Sequence, residues 1–304
     1  MRRFHGFDTD SDRWKEFEFR DGDIVISSPM KAGTTWTQMI CALLIFQTAD
    51  LPAPLGLLSP WLDMQTRPLD EVLGDLDAQT HRRFIKTHTP LDCIAIPDGV
   101  TVVGVGRHPL DLARSAARHS ANISFERALE LVSDVIGEEE TINLLVGRPV
   151  PEQDAIGRIR FFLEEDHPGD VALTLGGVLD HYRGYSTSEA TVVRLHYSDL
   201  MIDREREMRR LAAALVIDVP EASWPALVDA AEFTAMKQRA EQLVPDAGLG
   251  LIVDAEAFFA VAGEGEWRDT VPEELADRFA ERLRELDPGG EIADWAQHGL
   301  YSST

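Results

Sequence analysis

The chain has 304 residues but little positive charge and very little lysine. It carries 29 Lys+Arg against 53 Asp+Glu, for a formal net charge of −24, and no run of Lys or Arg is longer than two. The phosphates of nucleic acids and anionic membrane surfaces would repel such a chain. We therefore expect no nucleic-acid partner. The few lysines are informative by position: Lys15, Lys31, Lys86 and Lys237.

Cysteines and long apolar runs are also scarce. The two cysteines, Cys41 and Cys93, form neither a disulfide framework nor a metal-ligand spacing. The longest apolar run covers positions 39–46 and is far shorter than the roughly 20 residues that span a bilayer. The N-terminal arginines are not followed by the apolar core of a secretion signal. These features predict a reduced, cytoplasmic protein without a transmembrane segment.

The composition is that of a globular protein, with 44% hydrophobic and 27% charged residues. There is no internal repeat, low-complexity tract or linker, so we expect a single domain over residues 1–304. Short apolar runs predict buried strands at 23–28, 83–86, 101–106 and 191–197. Helical patterns are found at 34–47, 111–119, 125–137 and 204–215. This alternation predicts an α/β fold with a central parallel sheet flanked by helices, and we expect segment 138–180 to cover the acceptor.

The first motif is SSPMKAGTTW at positions 27–36, at a predicted strand-to-helix turn. Unpaired backbone N–H groups and the positive end of the helix dipole meet at such a turn, and Gly33 allows close backbone approach. With Lys31 and the neighbouring hydroxyls it predicts an anion site. The loop is P-loop-like but not a standard nucleotide-triphosphate loop, because Lys31 precedes Gly33. A surface turn with one solvated lysine is the alternative.

The second motif is FIKTHTP at positions 84–90, where an apolar strand ends in Lys86 and His88. Ligands of open α/β sheets bind at the carboxyl ends of the strands, and histidine is the natural general base near neutral pH. These two side chains are therefore candidates for catalysis. The alternative is a histidine that only ties a loop to backbone carbonyls.

The third motif covers positions 102–115, where a strand ends at Arg107 and the following helix brings Ser115 two turns later. A guanidinium group offers a planar fork to a phosphate, and a hydroxyl adds a neutral donor. The pair Gly104 and Gly106 does not complete a dinucleotide fingerprint, because the third glycine is missing.

Together the three motifs resemble the sulfotransferases that use 3′-phosphoadenosine-5′-phosphosulfate (PAPS). Positions 82–92, with SPWLD at 59–63 upstream, are most similar to actinobacterial glycolipid sulfotransferases. The resemblance implies a 5′-phosphosulfate loop, a catalytic strand end at Lys86 and His88, and a 3′-phosphate site at Arg107 and Ser115. The loop residues are Lys31, Ala32, Gly33, Thr34, Thr35 and Trp36. The YSD element at 197–199 and FTAMK at 233–237 imply that Trp36, Tyr197 and Phe233 hold the adenine.

One motif departs from the family pattern. The family has a basic pair and a glycine shortly after an aromatic residue, whereas this chain has Ala260, Val261 and Ala262. Each charge-assisted bond to a phosphate contributes about 1.5–3 kcal/mol, so the affinity for the donor falls unless another group compensates.

The resemblance implies sulfuryl transfer to a hydroxyl of a small-molecule or glycolipid acceptor. His88 would take the acceptor proton, Lys31 with Thr34 and Thr35 would stabilise the leaving group, and Lys86 would contact the sulfonate. No metal is expected, because Lys31 and the helix N-terminus supply positive charge. Two alternatives stay open: a degenerate nucleotide-binding or scaffold protein of the same fold, and a P-loop kinase of small molecules. The acceptor's identity and the oligomeric state do not follow from the sequence.

Overall fold

The computed structural model describes residues 1–150, 152, 154–166, 173–245, 247–259 and 263–301. Within these residues, four parallel strands form one sheet in the order β2–β1–β3–β4. Ile26 of β1 lies between Lys86 of β2 and Val103 of β3. The strands are β1 (Ile24–Ser27), β2 (Phe84–Thr87), β3 (Thr101–Gly106) and β4 (Thr191–His196).

Helices surround this sheet and make up most of the described chain. The described ranges include five short 3₁₀ helices, at Ser11–Glu16, Leu91–Cys93, Glu221–Ser223, Ala247–Leu249 and Glu266–Asp269. The α-helices of the described residues are α1 (Thr34–Phe46), α2 (Leu55–Leu58), α3 (Leu69–Ala78), α4 (Pro109–Ser120), α5 (Phe125–Ile136), α6 (Glu138–Leu145), α7 (Ala155–Glu164), α8 (Leu175–Thr187), α9 (Tyr197–Ile202), α10 (Arg204–Ala214), α11 (Trp224–Ala230), α12 (Phe233–Gln238), α13 (Ala240–Leu243), α14 (Ala255–Phe258), α15 (Glu273–Leu286) and α16 (Glu291–His298).

Successive side chains of a strand point to opposite faces of the sheet, and both faces are buried. Ile24 and Ile26 belong to one core, which includes most of α1. Val25 of the same strand belongs to the other core, with α7, α8, α15 and α16. Strands covered on both faces read as continuous apolar runs, which is why all four could be located from the sequence.

The predicted α/β fold with a central parallel sheet is confirmed. Each predicted strand and helix is found within about two residues of its expected ends. One boundary was wrong in kind: Tyr197 begins α9 and does not continue β4, because the imidazole of His196 caps the N–H of Ser198 at the start of this helix. No helix in the described ranges is both long and apolar enough to cross a membrane.

Candidate active site

A large cavity opens at the carboxyl ends of the parallel strands. Its volume is about 1260 Å³. Eleven of the twelve predicted site residues line it: Lys31, Gly33, Thr34, Thr35, Trp36, Lys86, His88, Arg107, Ser115, Tyr197 and Phe233. The exception is Ala32, whose side chain is fully buried in the core and whose N–H donates to the carbonyl of Pro29 at 3.2 Å.

The loop between β1 and α1 has the backbone of an anion site. Both Lys31 (φ 67°) and Gly33 (φ 116°) adopt left-handed conformations, which turn the chain sharply into α1. Within the described residues, the N–H groups of positions 33–36 donate to no acceptor. Four free donors at the positive end of a 13-residue helix dipole attract an anion.

The Lys31 side chain packs against Phe258 of α14. Its Nζ atom is 4.4 Å from the ring centroid of Phe258, a cation–π distance. Burial, with smaller contributions from the charges of Arg107 and Arg118, lowers the pKa of Lys31 to about 8. Lys31 is therefore mostly protonated at pH 7 but close to losing its charge.

His88, at the end of β2, is half-buried and held in one tautomer. Its Nδ1 lies 2.7 Å from the carbonyl oxygen of Ser28. Because a carbonyl only accepts hydrogen bonds, Nδ1 carries the proton and Nε2 keeps a free lone pair. Burial, with smaller contributions from the charges of Lys86 and Lys31, lowers the pKa of His88 to about 4. His88 is thus a neutral base at pH 7.

Lys86 and Asp63 are both near His88, but only Lys86 was predicted from the sequence. Lys86 was predicted, and its Nζ lies 4.6 Å from the ring centroid of Trp61. Asp63 was missed as a functional residue, although it lies in the SPWLD segment that carried part of the resemblance. The buried Asp63 carboxylate accepts hydrogen bonds from Thr87 and Thr89, which flank His88, and from Trp14. It therefore fixes the end of β2.

Arg107 follows β3 and is buried. Its Nη1 donates to the carbonyl of Lys31 at 3.1 Å, and its Nη2 donates to the carbonyl of Gly263 at 2.8 Å. The guanidinium carbon lies 4.3 Å from the ring centroid of Tyr197. The Nε atom is buried without a partner among the described residues. This unsatisfied donor is one a bound anion could use.

Ser115 and three aromatic side chains complete the wall. Ser115 lies on α4, and its hydroxyl has no hydrogen-bond partner in the described part of the chain. The rings of Trp36 and Tyr197 meet edge to face at 5.1 Å, and Trp36 Nε1 donates to the carbonyl of Ala231. Phe233 lines the cavity beside Phe259, with 6.2 Å between their ring centroids.

The remaining sequence expectations concern the neutral residues at positions 260–262 and the absence of a metal site. The replacement at Ala260, Val261 and Ala262 lies outside the described residues. Among the residues that are described, no three His, Cys, Asp or Glu side chains are grouped closely enough to hold a metal ion.

Comparison with known proteins identifies the family. Residues 21–288 match the sulfotransferase domain. A glycolipid sulfotransferase of Mycobacterium bovis is 36% identical over 310 residues, covering 95% of this chain and 92% of the relative. A glycolipid sulfotransferase of Mycobacterium tuberculosis gives the same identity and coverage.

Solved structures agree on the fold. A retinol dehydratase in complex with androsterone and the inactive cofactor PAP superimposes with a TM-score of 0.66 at 20% identity, covering 92% of this chain and 86% of that one. Mouse sulfotransferase SULT7A1 complexed with PAP gives 0.65 at 18% identity, with 92% and 90% coverage.

The fold and the family match together define a group-transfer enzyme built on an α/β sheet. The chain belongs to the sulfotransferase family, and its activity is the transfer of a sulfuryl group.

The left-handed turn at Gly33 gives a stability prediction. A Cβ atom at this position would lie 3.3 Å from Cδ2 of Tyr197, in a conformation that strains any other residue. Gly33→Ala should lower the free energy of unfolding by about 1–2 kcal/mol in urea titrations. Gly74→Ala is the control, because Gly74 is exposed on α3 with open space around it, and it should raise that free energy by about 0.5–1 kcal/mol. Equal effects of the two substitutions would contradict the assigned strain.

Proposed function

We propose that this sulfotransferase moves the sulfuryl group of PAPS to a hydroxyl group of a glycolipid or other small-molecule acceptor, with His88 as the general base. The observation that carries the proposal is the shared cavity. His88, a neutral imidazole whose Nδ1 is held by the carbonyl of Ser28, lines the same cavity as residues 33–36 of the β1–α1 loop and Arg107, whose buried Nε has no partner among the described residues.

The cationic side chains and hydrogen-bond donors of the cavity suit a nucleotide with two anionic groups. Lys31 and the N–H groups of positions 33–36 would hold the 5′-phosphosulfate. Arg107 and the hydroxyl of Ser115 would hold the 3′-phosphate, since a guanidinium and a hydroxyl both donate to phosphate oxygens. Trp36, Tyr197 and Phe233 would enclose the adenine. Two structural neighbours are complexes with PAP, which supports this choice of nucleotide.

The reaction needs positioning and charge stabilisation more than covalent chemistry by the protein. Nε2 of His88 takes the proton of the acceptor hydroxyl as the acceptor oxygen forms a bond to sulfur. The bond from sulfur to the bridging oxygen of the 5′-phosphate breaks in line. Lys31, with Thr34 and Thr35 at the helix N-terminus, stabilises the charge that grows on that oxygen. Lys86 contacts the transferring sulfonate.

An apolar acceptor fits the remaining space. Phe4, Phe7, Leu251 and Ile252 add apolar side chains to the cavity lining. Two curated relatives are named glycolipid sulfotransferases, which favours a lipid-bearing acceptor. Segment 138–180 would cover this acceptor, although positions 151, 153 and 167–172 lie outside the described residues.

Several expectations remain predictions. These are the single domain over residues 1–304, the absence of a metal requirement, the lack of a nucleic-acid partner and the cytoplasmic location. The two alternative functions, a small-molecule kinase and a degenerate scaffold, gain no specific support. The family match favours a transferase, and the β1–α1 loop lacks the lysine position of a nucleotide-triphosphate loop.

Replacing the proposed base tests the mechanism. His88→Asn should lower kcat with PAPS and a glycolipid acceptor by about 10²–10⁴-fold, because the acceptor proton would then have no base. Calorimetric affinity for 3′-phosphoadenosine-5′-phosphate (PAP) should change less than about twofold. His298→Asn is the control, since His298 is exposed on α16 and does not line the cavity. Wild-type turnover by the His88 variant would disprove the base assignment.

The lowered pKa of Lys31 predicts an alkaline limit. Its charge is complete well below pH 8 and is lost as the pH rises through about 8, so kcat/KM for PAPS should fall above that pH. Lys31→Arg keeps its charge at high pH and should shift this limit upward, although the longer head group lowers the rate. Rate measurements from pH 6 to pH 10 show the limit. A profile that stays flat to pH 10 in the wild type would argue against Lys31 as the stabilising cation.

A further inference from the structure

Positions 260–262 are uncharged in this chain, whereas the family pattern has two basic residues and a glycine there. Both described flanks lie at the cavity end of β3. Phe259 lines the cavity, and the carbonyl of Gly263 accepts the hydrogen bond from Nη2 of Arg107. Arg107 therefore lacks the cationic neighbours that the family pattern would place there, so any compensating charge must come from another element.

Helix α4 packs against the same C-terminal stretch. Asp111, Ser115 and Arg118 are spaced i, i+4 and i+7 and share one face of the helix. The Asp111 carboxylate accepts from the N–H of Gly265 at 2.6 Å and from the N–H of Trp267 at 3.2 Å. Ser115, one turn further along, lines the cavity together with His119 and Ser120 of the same helix. Arg118 is not among the residues that line it, because its side chain is turned to Glu266.

Two arginines on this helix converge on one carboxylate. Arg114 and Arg118 both donate to Oε2 of Glu266, at 2.9 Å and 3.4 Å. The Arg114 side chain is only 15% exposed, whereas that of Arg118 is 43% exposed. A contact of 3.4 Å is longer than an ordinary charge-assisted bond, and an exposed ion pair contributes little to stability. Arg118 can therefore leave Glu266 at small cost, while Arg114 keeps Glu266 in place.

Arg118 already contributes to the electric field at the β1–α1 loop. Its positive charge acts on Lys31 together with that of Arg107 and helps lower the pKa of this lysine. Three carboxylates lie near these arginines. Asp111 accepts from two backbone N–H groups, Glu264 accepts from the hydroxyl of Ser198, and Glu266 pairs with Arg114 and Arg118.

We propose that Arg118 leaves Glu266 when the donor nucleotide binds, contacts its 3′-phosphate together with Arg107 and Ser115, and replaces the charge that positions 260–262 lack. The inference rests on the proposed function, because it takes a 3′-phosphorylated adenosine nucleotide as the ligand. Arg118 is then a specificity residue. It separates a nucleotide with a 3′-phosphate from one without, and a guanidinium suits this task because it meets phosphate with two parallel donors.

Calorimetry with two probes tests this role. PAP carries the 3′-phosphate, and adenosine 5′-monophosphate (AMP) does not. Arg118→Ala should weaken PAP binding about 10- to 100-fold and change AMP binding less than about twofold. Arg118→Lys, which keeps the charge, should recover most of the loss. Arg209→Ala is the matched control, because Arg209 is a similarly exposed arginine on α10 that is paired with Glu205 and Glu221, and it should change neither affinity.

The outcomes distinguish a failure of the role of Arg118 from a failure of the proposed function. An Arg118→Ala variant that keeps the full preference for PAP over AMP, or that loses affinity for both equally, overturns the role of Arg118. A wild-type protein that does not prefer PAP over AMP overturns the proposed function itself. The substitution is on an exposed side chain, and equal melting temperatures of the variant and wild type show that the comparison is between folded proteins.

Discussion

The buried guanidinium of Arg107 connects the parts on which this structure depends. It donates to the carbonyl of Lys31 in the β1–α1 loop and to the carbonyl of Gly263 near the C-terminus, and it stacks on Tyr197 at the start of α9. One side chain thus joins three segments that are far apart in sequence. It also places a permanent positive charge inside a molecule of net charge −24, where the low dielectric strengthens its attraction for an anion.

Ser28 fixes the β1–α1 loop and the proposed base, His88, relative to each other. Its carbonyl oxygen accepts from Nδ1 of His88, and its hydroxyl is 2.7 Å from that of Thr34 on α1. Asp63 fixes the other side of His88 through Thr87 and Thr89. Such preorganisation matters for sulfuryl transfer, because the protein accelerates the reaction mainly by holding the reacting groups in line.

The sequence predicted what depends on local pattern. Strands buried on both faces are unbroken apolar runs, and a lysine or arginine at the end of such a run stands out in a lysine-poor chain. Contacts between distant segments could not be read in this way. The hydrogen bonds of Asp63 with Thr87 and Thr89 span 24 and 26 positions, and the pairing of Arg118 with Glu266 spans 148. Ala32 matches the loop motif by its letter, yet its side chain packs into the core.

We propose that one cavity binds both phosphates of the donor nucleotide beside a neutral histidine. A crystal structure of the protein with PAP would show whether it does. We expect the 5′-phosphate at the N–H groups of positions 33–36, the 3′-phosphate against Arg107 and Ser115, and Nε2 of His88 facing the empty sulfonate position. PAP bound with its 3′-phosphate away from Arg107, or outside this cavity, would show that the proposed site is wrong.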